Sequence, residues 1–181
     1  MTPPPTLTRY RTLIVEGHEG PGRGVLIAAL ARLGFQIRHM PPGLHHLDPA
    51  LPYRELLAGP GRLAVDSGLI AELVHGPLRR GRSRVTWIQA LDFAEAVAER
   101  DGAMLHLTAT RRTPCEEGHP PGDERATEAA EAATAYARAF DTLAQHVPVV
   151  TVHVGEARRS TRPTEPSRQQ LLGDIEQLTI G

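Results

Sequence analysis

The sequence predicts an α/β fold, a parallel five-stranded sheet covered by helices on both faces. Three observations carry this expectation. Short apolar runs alternate along the chain with segments of helical spacing. The first run passes through a glycine-rich turn straight into such a segment. An acidic residue closes a later run, where α/β sheets present their ligand-binding edge.

The first strand is read at Thr12–Val15, leading into Glu16 and then Gly17, Gly20, Gly22 and Gly24. Leu26, Leu30 and Leu33 follow at helical spacing, and Gly34 stands where a helix C-terminal glycine belongs. Phe35–Met40 reads as a second strand, stopped by Pro41, Pro42 and Gly43, and a loop with His45, His46 and Asp48 comes next. Tyr53–Leu57 is a short helix and Arg62–Val65 a third strand that ends at Asp66. Leu69, Ile70, Leu73 and Val74 give another short helix, and Pro77–Arg84 reads as a basic connector. Val85–Arg100 is a longer helix with Trp87, Leu91, Ala94 and Ala98 on one face. Ala103–Thr108 is the fourth strand, and Arg111–Arg125 is a loop rich in proline, glycine and charge. Ala129, Ala133, Tyr136, Phe140 and Leu143 mark the most regular helix, and Val147–Val154 is the last strand.

The chain's 181 residues make one domain, assigned to 1–155; residues 156–181 form a polar linker and a small amphipathic segment at Leu171, Leu172, Ile175 and Leu178. A hydrophobic content of 40% and a net charge of −1 describe an ordinary globular chain and not a disordered or strongly basic one, and bulk charge implies no polyanionic partner. Cys115 is the single cysteine, so an intrachain disulfide and a cysteine-cluster metal site are both excluded. Met1–Tyr10 has no apolar core of signal-peptide length and no run is long enough to span a bilayer, so the sequence is read as cytoplasmic. All twenty basic residues are arginine, which rules out any lysine-based site.

The chemistry concentrates at Gly17–Gly24. A phosphate-binding loop needs glycines so that backbone N–H groups turn inward around an anion, and a helix N-terminus whose dipole favours negative charge. Against the pattern G-x-x-x-x-G-K-[ST], Gly17 and Gly22 keep the spacing, Arg23 takes the lysine position and Gly24 the hydroxyl position. The loop residues Gly17, His18, Glu19, Gly20, Pro21, Gly22, Arg23, Gly24 and Val25 are therefore the candidate phosphate ligands. Without a ligand, the same glycines would simply make a tight turn. Arginine keeps the charge but is bulkier than lysine, and without a hydroxyl at position 24 a usual Mg²⁺ ligand is missing.

These residues resemble the thymidylate kinases and related P-loop nucleoside and nucleotide kinases over roughly Arg11–Gly155. Ile14–Gly24 resembles the family's strand and loop, with Glu19 in its acidic place. Asp66-Ser67-Gly68-Leu69-Ile70-Ala71-Glu72-Leu73-Val74-His75-Gly76-Pro77 resembles D-R-x-x-x-S-E-x-x-Y-G-P. Asp66, Glu72 and Gly76 match; Ser67, Ala71 and His75 depart, as do Arg23 and Gly24. The resemblance implies a P-loop kinase-like three-layer sandwich that uses ATP and Mg²⁺, with a nucleoside or nucleotide as acceptor. It implies Asp66 as base or Mg²⁺ partner, Arg23 and Arg79 beside it in the chemistry, Arg82, Arg111 and Arg112 as phosphate ligands, and Glu72 and His75 as substrate contacts. The alternative implied by the departures is a kinase relic that binds nucleotide or phosphate without transfer, as a regulatory or assembly partner. Either is compatible with a homodimer. Asp66 has a competing role as a cap of the helix beginning near Leu69. Nucleic acid is a poor partner, since the Arg79–Arg84 patch lacks aromatic interleaving and the chain lacks positive charge.

Overall fold

The computed structural model of the chain describes residues 5–17, 21–39, 50–109 and 124–154. A short 3₁₀ turn, Pro5–Arg9, leads into β1 (Thr12–Gly17), α1 (Pro21–Arg32), β2 (Gln36–His39), α2 (Leu51–Leu57) and β3 (Leu63–Asp66). Then come α3 (Leu69–Arg80), α4 (Trp87–Ala98), β4 (Gly102–Ala109), α5 (Glu124–Leu143) and β5 (Val149–Val154). The five strands form one sheet in the order β2-β3-β1-β4-β5, and every pairing is parallel. The expected α/β architecture is therefore present.

Side chains alternate across β1 and divide the interior into two cores. Leu13 and Val15 join Leu26 and Leu30 of α1, Phe35, and the turn residues Leu7 and Tyr10. Ile14 joins Tyr53 and Leu57 of α2, Ile70 and Val74 of α3, Phe93 and Val97 of α4, and Tyr136, Phe140 and Leu143 of α5. One helix thus covers one face and four cover the other, which accounts for the buried character of every β1 residue.

Strand order fixes where a ligand site belongs. From β1 the chain crosses outward to β2, whereas from β3 it crosses the opposite way to β4. Adjacent strands with diverging connections leave a crevice outside their C-terminal ends, here between Gly17 of β1 and Asp66 of β3.

Three local readings need correction. Pro77 lies inside α3, which runs on to Arg80 and closes at Gly81 with φ +70°, its N–H bonded to the Pro77 carbonyl. The basic stretch Pro77–Arg84 is thus helix end plus turn. Helix α4 starts at Trp87 because Thr86 and Gln89 make a reciprocal capping box, and Trp87 is consequently 46% exposed; Ala90, Phe93, Ala94 and Val97 form the buried face. In α5 the inner face is Ala132, Tyr136, Ala139, Phe140 and Leu143, while Ala129 and Ala133 are exposed. His18, Glu19, Gly20, His45, His46, Asp48, Arg111, Arg112, Cys115 and the segment 156–181 lie outside the described residues. No helix among the described residues is long and apolar enough to cross a membrane.

Phe93 is among the largest fully buried side chains and meets Tyr53 edge-on at 5.9 Å between ring centroids. Phe93→Ala is expected to lower the unfolding free energy by about 3–5 kcal/mol. Urea denaturation measures this, and a loss below about 1 kcal/mol would show that the core collapses around the vacancy.

Candidate functional site

Gly17 ends β1 with φ +104°, and a Cβ there would lie 2.5 Å from the Leu107 carbonyl oxygen of β4. Only glycine meets both constraints, so the turn out of β1 is shaped as the sequence requires. Helix α1 begins at Pro21, which places Gly22, Arg23, Gly24 and the exposed Val25 in its first turns. Around Gly24 the position a Cβ would occupy is open space.

Arg23 is turned onto the strand ends. Its Nε donates to Asp66 Oδ1 at 2.8 Å, and Nη2 donates to the same oxygen. Nη2 also donates to the carbonyls of Val15 at 3.0 Å and Ser67 at 2.8 Å, with a longer contact from Nη1 to the Gly17 carbonyl at 3.5 Å. The ion pair is mostly shielded, its side chains 16% and 23% exposed. One guanidinium therefore gathers the carbonyls where β1 and β3 stop and neutralises the carboxylate between them. On the other side, Asp66 Oδ2 meets His39 Nδ1 at 3.1 Å. His39 ends β2 and is in register with Asp66.

Asp66 does not cap α3. That task is divided between Ser67, whose Oγ accepts from the Leu69 N–H at 3.3 Å, and Glu16, whose Oε1 accepts from the Ile70 N–H at 3.1 Å. Glu16 is fully buried in β1, and its Oε2 has no partner among the described residues. Burial pushes the Glu16 carboxyl above its ordinary value of 4.5, against the opposing pull of Ser67, the Ile70 and Ala71 N–H groups and the Arg23 charge. The Tyr53 phenol is pushed up as well, first by burial and then by Glu16 and Glu72.

The other expected contacts sit along α3. Glu72 Oε1 accepts from the Arg84 N–H at 2.8 Å and from the Arg80 guanidinium, which pins the α3–α4 connection back onto the helix. Gly76 permits that return, since a Cβ would fall 2.9 Å from Ser83 Cα. Arg79 pairs with Glu128 of α5 at 3.0 Å, and Arg82 is exposed. His75 packs edge-on against Tyr136 at 5.7 Å, and its buried Nδ1 has no partner among the described residues. Tyr136 and Phe140 also stack on His106 of β4, whose imidazole burial holds below the ordinary histidine value.

The structure thus brings together Gly17, Arg23 and Asp66, and adds three residues the sequence reading did not single out as ligands or partners: Glu16, Ser67 and His39. A carboxylate inside an otherwise apolar central strand was a signal for Glu16; His39 had none, because its meeting with Asp66 follows from strand order. Among the described residues no group of three or more His, Cys, Asp or Glu side chains is arranged to hold a metal ion.

No protein-family model matches the chain, and no curated protein matches it in sequence. Among solved structures, it is similar to the YorR protein of Bacillus subtilis, crystallised in complex with phosphorylated GDP. The TM-score is 0.60 at 14% identity, and the match covers 92% of this chain and 94% of that one. The likeness is one of fold, and with the strand order it gives this chain the P-loop kinase-like α/β architecture.

Arg23→Ala removes the guanidinium donors of Asp66 Oδ1 and of the Ser67 carbonyl, and is expected to cost about 2–3 kcal/mol of stability. A double-mutant cycle of Arg23→Met with Asp66→Asn, read by urea denaturation, should show a coupling of at least about 1 kcal/mol; simple additivity would mean the pair does not hold the strand ends. For Glu16, the folded carboxyl keeps its proton more tightly than the unfolded one. Its contribution favours folding below the unfolded value of 4.5 and is lost as pH rises through the raised folded value. Glu16→Gln keeps an acceptor for Ile70 and removes the titration, so the variant should gain on the parent as pH climbs above 4.5. A gap between the two that stays constant with pH would contradict this assignment.

Proposed function

We propose that this chain binds a nucleoside phosphate in the β1–β3 crevice and does not transfer the phosphoryl group. The observation that carries this reading is the commitment of Arg23. The cation at the lysine position of the loop is bonded to Asp66, Val15, Ser67 and Gly17, so in this arrangement neither Arg23 nor Asp66 is free for the roles a kinase needs. Phosphoryl transfer is almost wholly positioning and charge stabilisation, and losing the mobile cation removes its main lever.

Binding is a lesser demand. The glycine-shaped exit of β1 and the N-terminus of α1 supply backbone N–H groups and a favourable dipole for an anion. The structural neighbour's phosphorylated GDP supports a nucleotide as the anion's carrier. Mg²⁺ is not part of the proposal: position 24 has no hydroxyl, and both Asp66 oxygens are engaged. Such a protein would act as a regulatory or assembly partner in the cytoplasm, and the half-exposed Trp87 and exposed Ile88 of α4 offer an apolar patch for a homodimer.

A thermal-shift panel of GDP, ATP and thymidine monophosphate, each with and without Mg²⁺, tests the proposal beside an assay of ATP consumption. A binding nucleotide at about 100 times its Kd should raise Tm by roughly 5–10 °C. The shift should be indifferent to Mg²⁺, with no turnover. ATP consumption that disappears in Asp66→Ala would instead establish an active kinase, with Arg23 released from Asp66 during the reaction.

A further inference from the structure

Asp66 is shared. Its Oδ1 holds Arg23 and its Oδ2 holds the Nδ1 of His39. An ionised carboxylate only accepts hydrogen bonds, so the proton of this contact sits on Nδ1. The ring is thereby fixed in orientation, with Nε2 left for another group; among the described residues Nε2 has no partner. The His39 side chain is 64% exposed at the C-terminal end of β2, beside the strand that closes the crevice.

The neighbouring cations are already engaged. Arg23 is bound to Asp66 and to strand-end carbonyls. Arg38, the residue before His39, donates to the Leu56 and Ala58 carbonyls at 3.2 and 3.0 Å. Among the described residues at the C-terminal ends of β2 and β3, the His39 imidazole is a basic group not committed to backbone carbonyls. Asp66 holds Nδ1 from behind, as carboxylates do for histidines that must present their second nitrogen.

The geometry points to His39 as a phosphate ligand of the crevice, its Nε2–H donating to a phosphoryl oxygen while Asp66 holds Nδ1–H. This rests on the nucleotide-binding reading for the carrier of the phosphate, and names the side chain that meets its charge. The ligand class is a di- or monophosphate ester or a free polyphosphate. Arg23 and His39 then have separate duties through one carboxylate: the first closes the sheet end, the second faces the ligand.

The test is calorimetric titration of GDP, inorganic pyrophosphate and guanosine into the parent protein and His39→Gln, without Mg²⁺, with the unliganded Tm of each recorded. Because His39 is exposed, the variant should fold with an unchanged Tm, which separates a lost ligand contact from a lost fold. GDP and pyrophosphate should each bind about tenfold or more weakly to the variant, as expected when a charge-assisted hydrogen bond is removed, while any guanosine affinity is unaltered. GDP binding equally to both proteins would overturn the role of His39 and leave the nucleotide reading standing. Pyrophosphate binding that depends on His39, with no added affinity from GDP, would keep His39 and end the nucleotide reading. Absence of binding by both phosphates to the parent protein would end both.

Discussion

The bond network of Arg23 is the constraint around which this site is organised. Two adjacent parallel strands, β1 and β3, stop side by side; the Val15 carbonyl still accepts the Ser67 N–H, and the carbonyls of Val15, Gly17 and Ser67 all face the Arg23 side chain. A planar guanidinium with five donors reaches all of them and Asp66 together, a geometry that an ammonium on a flexible stem does not reproduce. The arginine at a lysine position is therefore not a conservative exchange. It converts a side chain that would follow a ligand's phosphates into one that belongs to the sheet.

Much of the fold was legible because its signals are local. Five apolar runs, separated by helical spacing and glycine or proline stops, give five strands and their alternation with helices without any knowledge of contacts. The misread places are those where a tertiary or capping interaction outweighs spacing. Pro77 reads as a breaker, yet it falls late in α3, where its missing N–H deprives only the Leu73 carbonyl of a partner and Gly81 still closes the helix. Trp87 reads by spacing as sharing a face with Leu91, Ala94 and Ala98, yet the capping box at Thr86 makes Trp87 the first residue of α4 and leaves the ring half-exposed. In α5, a run of alanines satisfies several helical phases equally, so periodicity alone did not select Ala132 and Ala139 over Ala129 and Ala133.

The site was legible in its placement and not in its pairing. Gly17 and Asp66 each carry a sequence signal, a glycine-rich exit and an acidic strand end, and strand order sets them on one crevice. That Arg23 would spend its charge on Asp66, 43 residues away in the chain, has no local signature. Nor has the meeting of His39 with the same carboxylate, which exists because β2 lies outside β3 instead of beside β1. Glu72 and Gly76, which match a kinase motif, also serve a chain reversal, the carboxylate holding the Arg84 N–H and the glycine making room for Ser83.

The departures from the kinase pattern are also physically consistent with one another. A divalent cation at such a crevice is held by anionic and hydroxyl oxygens. Here Asp66 is neutralised by Arg23, Glu16 is buried and driven toward its protonated form, and position 24 offers no side chain. Each of these features, among the described residues, works against holding a divalent cation. The same changes cost an anion little, because backbone N–H groups at the start of α1 act without side-chain charge. On the proposed reading, an anion site without a cation site is physically consistent, because the turn of Arg23 onto Asp66 offsets a carboxylate charge and leaves the backbone N–H groups at the start of α1 in place.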